Sequence, residues 1–286
     1  MLWQLIVSSL TVGCIYALIA LGFSVVFAAT RIMNIAHGQF VMLGAMFGVT
    51  YFASMSLPYW ATIILVTLSV GLVGAAMERL TMRPIQRGGM SLLPLIIATV
   101  AVGEVLANGA PFVWGVRDLF APPPLGTQPI AFSGIAMQTQ SLVVLALTAV
   151  SFGSLWVFFD RTTLGKSVRA VAIDPFAARV VGINVEMISL LVFGLAAALG
   201  GLAGLAISPI TNASPSMGLG LTIKGVTAAI IGGFGSLEGA LVGGLALGFL
   251  EMFVAGYITP AFRDAIVFGI LLAVLYLRPT GILPRT

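Results

Sequence analysis

Four stretches of this chain, Met1–Thr30, Ile32–Met77, Leu119–Phe159 and Met187–Ile223, contain no Asp, Glu, Lys or Arg. About 20 apolar residues cross a bilayer as a helix, so each stretch holds one or two crossings, and no water-soluble core calls for uncharged runs of that length. Only 8% of the 286 residues are charged and 59% are hydrophobic, against about 25% charged in soluble domains. A transmembrane barrel predicts alternating segments of about ten residues with a polar inner face, and these runs do not alternate. The reading is an all-α integral membrane protein, a polytopic helical bundle.

The first apolar run starts at Leu2 with no basic residue ahead of it, so Trp3–Ala29 reads as an uncleaved first helix and not a signal peptide. Cys14 lies within it and, as the one cysteine, forms no internal disulfide. Breaks in the pattern predict passes at 3–29, 38–55, 58–77, 92–112, 140–159, 187–208, 221–233, 236–257 and 262–277. That makes about eight or nine segments in a single transmembrane domain, 1–286, with a discontinuous or re-entrant segment near 221–235.

Orientation follows from the basic residues. Arg31, Arg79, Arg83, Arg87, Arg161, Lys166, Arg169, Arg179, Arg278 and Arg285 are ten of the thirteen, and they fall in regions that one topology makes cytoplasmic. The other face keeps Arg117 and Arg263, each followed by an acid, Asp118 or Asp264. This predicts an extracytoplasmic N-terminus, a cytoplasmic C-terminus and cytoplasmic loops at 78–91 and 160–186. The Pro122–Pro124 stretch through Pro129 then lies outside. The basic balance is a membrane-topology signal and points to no nucleic acid.

The cytoplasmic segment 160–186 reads as structured. Thr163 is positioned to cap a helix through Ala172, with Leu164, Val168 and Val171 on one face and Lys166 and Arg169 on another. Asp174-Pro175 reads as an N-cap with proline at the first helical position, and Gly182 as a stop. Phe176, Val180 and Ile183 share a face of that second helix; Asn184 caps the next, with Glu186 in its first turn. The apolar faces of two such short helices need cover, from a partner protein or from the flank of the bundle. The residues predicted to meet such a partner are Gly165, Lys166, Arg169, Ala170, Asp174, Ala178, Arg179 and Gly182.

Gly200/Gly204, Gly235/Gly239/Gly243 and Gly244/Gly248 are spaced by four, which in lipid permits close helix approach. The cluster Gly232-Gly233-Phe234-Gly235-Ser236 predicts a helix break able to offer backbone groups to a substrate. Polar residues at membrane depth are functional candidates. Glu104 and Asn108 share a helix face, lining a cavity or pairing Glu104 with a basic group. Asn34, His37 and Gln39 cluster at the start of the second pass, for capping or substrate contact. Lys224 is within range of pairing with Glu238 or Glu251. The residues predicted to line a pathway are therefore Asn34, His37, Gln39, Glu104, Asn108, Gly232, Gly233 and Gly235. No phosphate-loop lysine follows the glycines, and one histidine and one cysteine supply no metal cluster or triad. The chain reads as a non-enzyme that binds no metal or cofactor of its own.

The stretch Asn34-Ile35-Ala36-His37-Gly38 resembles a motif of the branched-chain amino-acid ABC importer permeases, H-type subunit, although Gln39 stands where that family often has an acid. Further matches run in order: Glu78-Arg79 with Arg83-Pro84, Leu95–Thr99, Asp160–Lys166 with Arg169-Ala170, Gly182–Asn184, Gly232–Ser236 with Gly239, and Arg278–Gly281. The resemblance implies a permease domain in a bacterial cytoplasmic membrane, paired with a related M-type permease, two cytoplasmic ATPase subunits that use ATP and Mg, and a periplasmic binding protein. It makes 160–184 the loop that couples to the ATPase, and it implies branched-chain or related small amino acids as cargo. An ion-gradient-driven transporter would instead use intramembrane acids such as Glu104 and Glu251 with an internal repeat, and leaves the long cytoplasmic segment without a task. A channel would want a filter-like segment, and none is evident.

Overall fold

The structure is a computed structural model describing residues 2–88, 91–126, 128, 130–132, 135–258, 262–277 and 281–283. Pro129, Arg278–Thr280 and Arg285 of the sequence reading lie outside these residues. In chain order the helices are α1 Leu2–Thr30, α2 His37–Val49 (continued by a π-helical turn, Thr50–Ser54), α3 Tyr59–Met77, α4 Arg83–Arg87, α5 Leu92–Trp114, α6 Thr139–Arg161, α7 Thr163–Ile173, α8 Pro175–Val180, α9 Val185–Thr211, α10 Met217–Gly232, α11 Leu237–Tyr257 and α12 Arg263–Leu277. Between α5 and α6 a small antiparallel hairpin pairs β1 Ile130–Phe132 with β2 Ile135–Met137. Among the described residues, six helical stretches are long and apolar enough to cross a membrane: Leu2–Thr30, Tyr59–Arg87, Leu92–Trp114, Thr139–Arg161, Val185–Thr211 and Leu237–Tyr257.

α1 and α9 form the centre. α1 packs on α11, α9 and α10, while α9 also takes α2 and α3. Phe23, Phe40, Phe193, Leu18, Ile19, Met42 and Met46 are fully buried there. α3, α5 and α6 turn Leu68, Leu72, Val105 and Trp156 outward, a surface that suits lipid or another apolar partner.

The central contacts are backbone-close, which is why the glycines recur at four-residue spacing. A methyl at Gly244 would fall on the backbone of Ala17, and one at Gly248 on that of Gly13, so α1 and α11 meet through small residues. Gly44 faces Gly201, and Gly204 faces the Val41 carbonyl, where α2 crosses α9. Gly232 and Gly239 abut in the same way across α10 and α11. Gly233 and Gly235 make the turn between those helices, with φ of 113° and 86°, a region that glycine enters freely.

Three expectations change. The 78–91 region is not simply a loop: α3 runs through a π-helical turn, Glu78–Met82, into α4 as one 29-residue helix. Its apparent loop charges, Arg83 and Arg87, are tied to Glu186 at the start of α9. The segment near 221–235 starts earlier, at Met217, runs as a continuous 16-residue helix, α10, to Gly232, and breaks at the Gly233–Gly235 turn where the glycine cluster predicts a break. A second irregular stretch lies buried before α2, around Ile32–Ala36, where side chains stand in for the helix ladder. Thr30 Oγ1 accepts from Ile32 N at 3.2 Å, Thr99 Oγ1 from Ile35 N at 3.1 Å, and Asn34 Oδ1 from Ala36 N at 3.2 Å. Asn34 therefore makes a turn ahead of α2 and does not cap its first turn.

The helices of segment 160–186 form where expected, with one shift. Thr162, not Thr163, caps α7, its Oγ1 accepting from Gly165 N at 3.0 Å; of two adjacent threonines, only the one in extended conformation can cap. Asp174 Oδ1 accepts from Phe176 N at 2.8 Å and Ala177 N at 3.1 Å, with Pro175 opening α8. Gly182 at φ 86° ends that unit, and Asn184 Oδ1 caps α9 through Met187 N at 3.0 Å.

Candidate functional site

The predicted pathway residues separate into three places. Gln39, Glu104 and Asn108 come together in a cleft of about 380 Å³ with Pro111, Pro215 and Ser216, between α5, the start of α2 and the start of α10. Gly103 of α5 lies beside Ala36 and Gln39 with room for a methyl, whereas a methyl at Gly218 of α10 would fall on the Gln39 amide. On α5, Asn108 Nδ2 donates to the Glu104 carbonyl at 2.8 Å and to Glu104 Oε2 at 3.2 Å. Both side chains are exposed.

Asn34 and His37, by contrast, belong to the core. Asn34 is 1% exposed and His37 fully buried. The His37 ring lies 4.6 Å from that of Phe23 and 6.1 Å from that of Phe40. Gly22 and Gly200 make room for it: a methyl at Gly22 would fall on the imidazole. Neither residue lines the cleft; the polar cluster at 34–39 divides into two packing residues and one cleft residue, Gln39.

The glycines 232, 233 and 235 stand at the far end of α10 from the cleft, about 24 Å away along a 16-residue helix. They therefore do not share one site with Glu104. Gly235 instead borders a cavity of about 270 Å³ that it shares with Ser236, Glu238, Asp160 and Arg169. Ser236 Oγ accepts from Gly239 N at 3.0 Å, capping α11 with Glu238 in its first turn, where a carboxylate is stabilised by the helix dipole.

The α7–α8 element lies beside that cavity. Val168 and Val171 are 2% and 4% exposed, fastened to the bundle. Gly165 is buried because any side chain would strike the Phe158 carbonyl at the end of α6, and Ala178 is likewise buried. These two small residues therefore serve packing within the chain, a correction to their expected role against a partner. Lys166, Arg169, Asp174, Arg179 and Gly182 are exposed and Ala170 is half-buried. Periodicity grouped Phe176 and Val180 with Ile183, but Ile183 packs inward while Ile173, Phe176 and Val180 are 84%, 76% and 73% exposed. Leu164 is exposed too. The element thus carries an apolar ridge flanked by Lys166, Arg169 and Arg179.

Two ionic connections were not legible as pairs. Arg83 lies 3.4 Å from buried Glu78 and 3.3 Å from Glu186, and its Nη2 donates to the Glu186 carbonyl at 3.1 Å. Arg87 Nη2 reaches both oxygens of Glu186 at 3.0 and 2.8 Å. Together they clamp α4 to the start of α9, immediately after the α8 ridge. Between α10 and α11, Lys224 Nζ lies 2.7 Å from Glu251 Oε1, which settles the choice left open between Glu238 and Glu251. The first turn of α10, with Pro215 and Ser216, was also missed as a cleft wall; a proline ahead of an apolar helical run was its one sequence signal.

Comparison with known proteins agrees with this architecture. Residues 5–275 match the family model described as branched-chain amino acid transport system / permease component. The chain is 33% identical to the high-affinity branched-chain amino acid transport system permease protein BraD of Pseudomonas aeruginosa, over 99% of this chain and 95% of that one. It is 31% identical, with the same coverage, to the corresponding permease protein LivH of Escherichia coli K12. Among solved structures, PsaBC from Streptococcus pneumoniae in complex with Fab superposes with a TM-score of 0.52 at 15% identity, covering 98% of this chain and 92% of that one, a likeness of fold. A match over nearly the whole length, on a bundle with six helices able to span a bilayer, makes this multi-pass membrane chain a member of the branched-chain amino acid transport system permease family.

Proposed function

We propose that the chain is the H-type membrane subunit of an ATP-driven importer and that it moves branched-chain or related small amino acids received from a periplasmic binding protein. The observation that carries this is the α7–α8 ridge. Ile173, Phe176 and Val180 stand exposed on helices held rigid by Thr162, Asp174 and Asn184 caps, with cations at the rim. Helices this short do not persist in water alone; here packing and caps fix an apolar surface shaped for a protein partner. In the proposed assembly that partner is a cytoplasmic ATPase, which carries the ATP and Mg chemistry, while this chain catalyses nothing. A second, M-type permease covers the outward faces of part of α3, α5 and α6, and lipid the rest.

In this reading the protein lies in a bacterial cytoplasmic membrane as one permease domain, with its N-terminus outside and C-terminus inside. α2, α10 and α12 join the six longer helices to make nine membrane segments. The ridge supplies affinity and the rim cations orientation. The test is co-purification with the ATPases and hydrolysis measured with cargo-loaded binding protein. Phe176→Asp is expected to lose ATPase retention and stimulation while the two permeases still co-purify. Full retention and normal stimulation in that variant would remove the ridge from coupling.

A further inference from the structure

The middle of a membrane-spanning helix is a costly place for an outward-facing carboxylate. Glu104 occupies it, about 18 Å from the Leu92 end of α5 and about 15 Å from the Trp114 end. Among the described residues no cation lies within ion-pair distance of it. Asn108 holds Oε2 at 3.2 Å, and no described residue is recorded as a partner of the other oxygen.

What surrounds Glu104 points to a small ligand. The cleft of about 380 Å³ falls within the roughly 300–1,000 Å³ of ligand sites. Its wall includes Gln39, a side chain 8% exposed whose Oε1 has no hydrogen-bond partner. Ser216 and Leu219, at the start of α10, also line it; Ser214 accepts from Ser216 N at 3.4 Å and from Met217 N at 3.2 Å, and no side chain caps the turn beyond them. The next N–H groups of that turn, at Gly218 and Leu219, sit at the positive end of the helix dipole. One cleft therefore holds an anionic group on one wall and an anion-binding helix end on another.

We propose that this cleft is a recognition point for a zwitterion in transit. Glu104, oriented by Asn108, accepts the N–H donors of the cargo's ammonium, and the first turn of α10 donates to its carboxylate. This rests on the reading of the chain as an amino-acid importer subunit and adds what that reading lacks, the groups that select an α-amino acid over a neutral amide. A basic side chain of the partner permease would satisfy Glu104 alone and leaves the facing helix end without purpose.

The test uses the complete transporter in liposomes, with radiolabelled L-leucine uptake and ATP hydrolysis measured together. Leucine uptake by the wild type checks the importer reading separately; if only solutes that are not amino acids are moved, that reading fails and the proposal with it. Given wild-type uptake, Glu104→Gln is expected to move about tenfold fewer leucine molecules per ATP, the scale of one lost charge-assisted hydrogen bond. Glu104→Asp should recover part of that loss. An unchanged yield per ATP in Glu104→Gln overturns the proposal. So does loss of the partner permease from the purified variant, which assigns the carboxylate to a partner's cation. If Glu104→Gln does not accumulate, Asn108→Leu supplies the reading: a smaller fall in yield is expected, and wild-type yield overturns the proposal.

Discussion

Replacing Glu251 by Gln tests how the bundle holds charge at membrane depth. The carboxylate is fully buried and Lys224 is 15% exposed, with 2.7 Å between Nζ and Oε1, and the Tyr16 ring of α1 lies 5.7 Å from the same Nζ. The contact thus joins three helices. Glu251→Gln takes the carboxylate away from the ammonium, and Lys224→Met the ammonium away from the carboxylate. Removing one member of a buried pair costs about 3–5 kcal/mol. The double variant Lys224→Met/Glu251→Gln removes both charges and with them both desolvation penalties, so it should lie well above the sum of the single losses, with a coupling of about 2–3 kcal/mol. Reversible denaturation in mixed detergent micelles, followed by tryptophan fluorescence, measures all four corners of the cycle. Single losses that add to within about 0.5 kcal/mol of the double would refute the reasoning. Additivity would mean that the partners find equivalent stabilisation elsewhere, as polar groups in membrane bundles can.

Two further predictions concern packing and orientation. Gly244→Val drives a side chain into the Ala17 backbone and should cost at least about 3 kcal/mol, seen as loss of the monodisperse peak in size-exclusion chromatography. Gly153→Val, with nothing within 4 Å of the added atom, should keep that peak; equal damage from both would remove the packing argument. In a Cys14→Ser background, a membrane-impermeant maleimide applied to intact cells should label Leu125→Cys and not Lys166→Cys, both at exposed positions. Labelling at 166 from outside reverses the proposed topology.

Helix positions were readable because bilayer thickness dictates the length of an apolar run, and caps were readable because Asp174-Pro175, Gly182 and Asn184 act on neighbours two or three residues away. What escaped depends on partners distant in the chain. Arg83 and Arg87 look like loop charges until Glu186, 103 and 99 residues away, turns them into a clamp. Periodicity placed Phe176 and Val180 on a common face without saying whether that face packs, since a side chain's burial depends on what lies opposite. The break at Gly233 and Gly235 was readable because glycine permits one. A second irregular stretch was not: it occurs where Thr30, Asn34 and Thr99 supply acceptors, and Thr99 stands 64 residues from the N–H it satisfies.

The cleft followed the same logic. A helical repeat of 3.6 residues put Glu104 and Asn108 on one face, one turn apart, as the hydrogen bond between them bears out. The opposing wall comes from Pro215, Ser216 and Leu219, more than a hundred residues later, delivered by the return of the chain from α9. His37, the residue that looked most chemical, went to the core because Gly22 and Gly200 open a space its ring fills. Glu104 looked ambiguous on its own, and the geometry places it on a cleft wall with one carboxylate oxygen held by Asn108. An exposed acid at mid-helix is tolerable only if water, cargo or another subunit meets it there, and the leucine yield and partner retention of Glu104→Gln decide among those three.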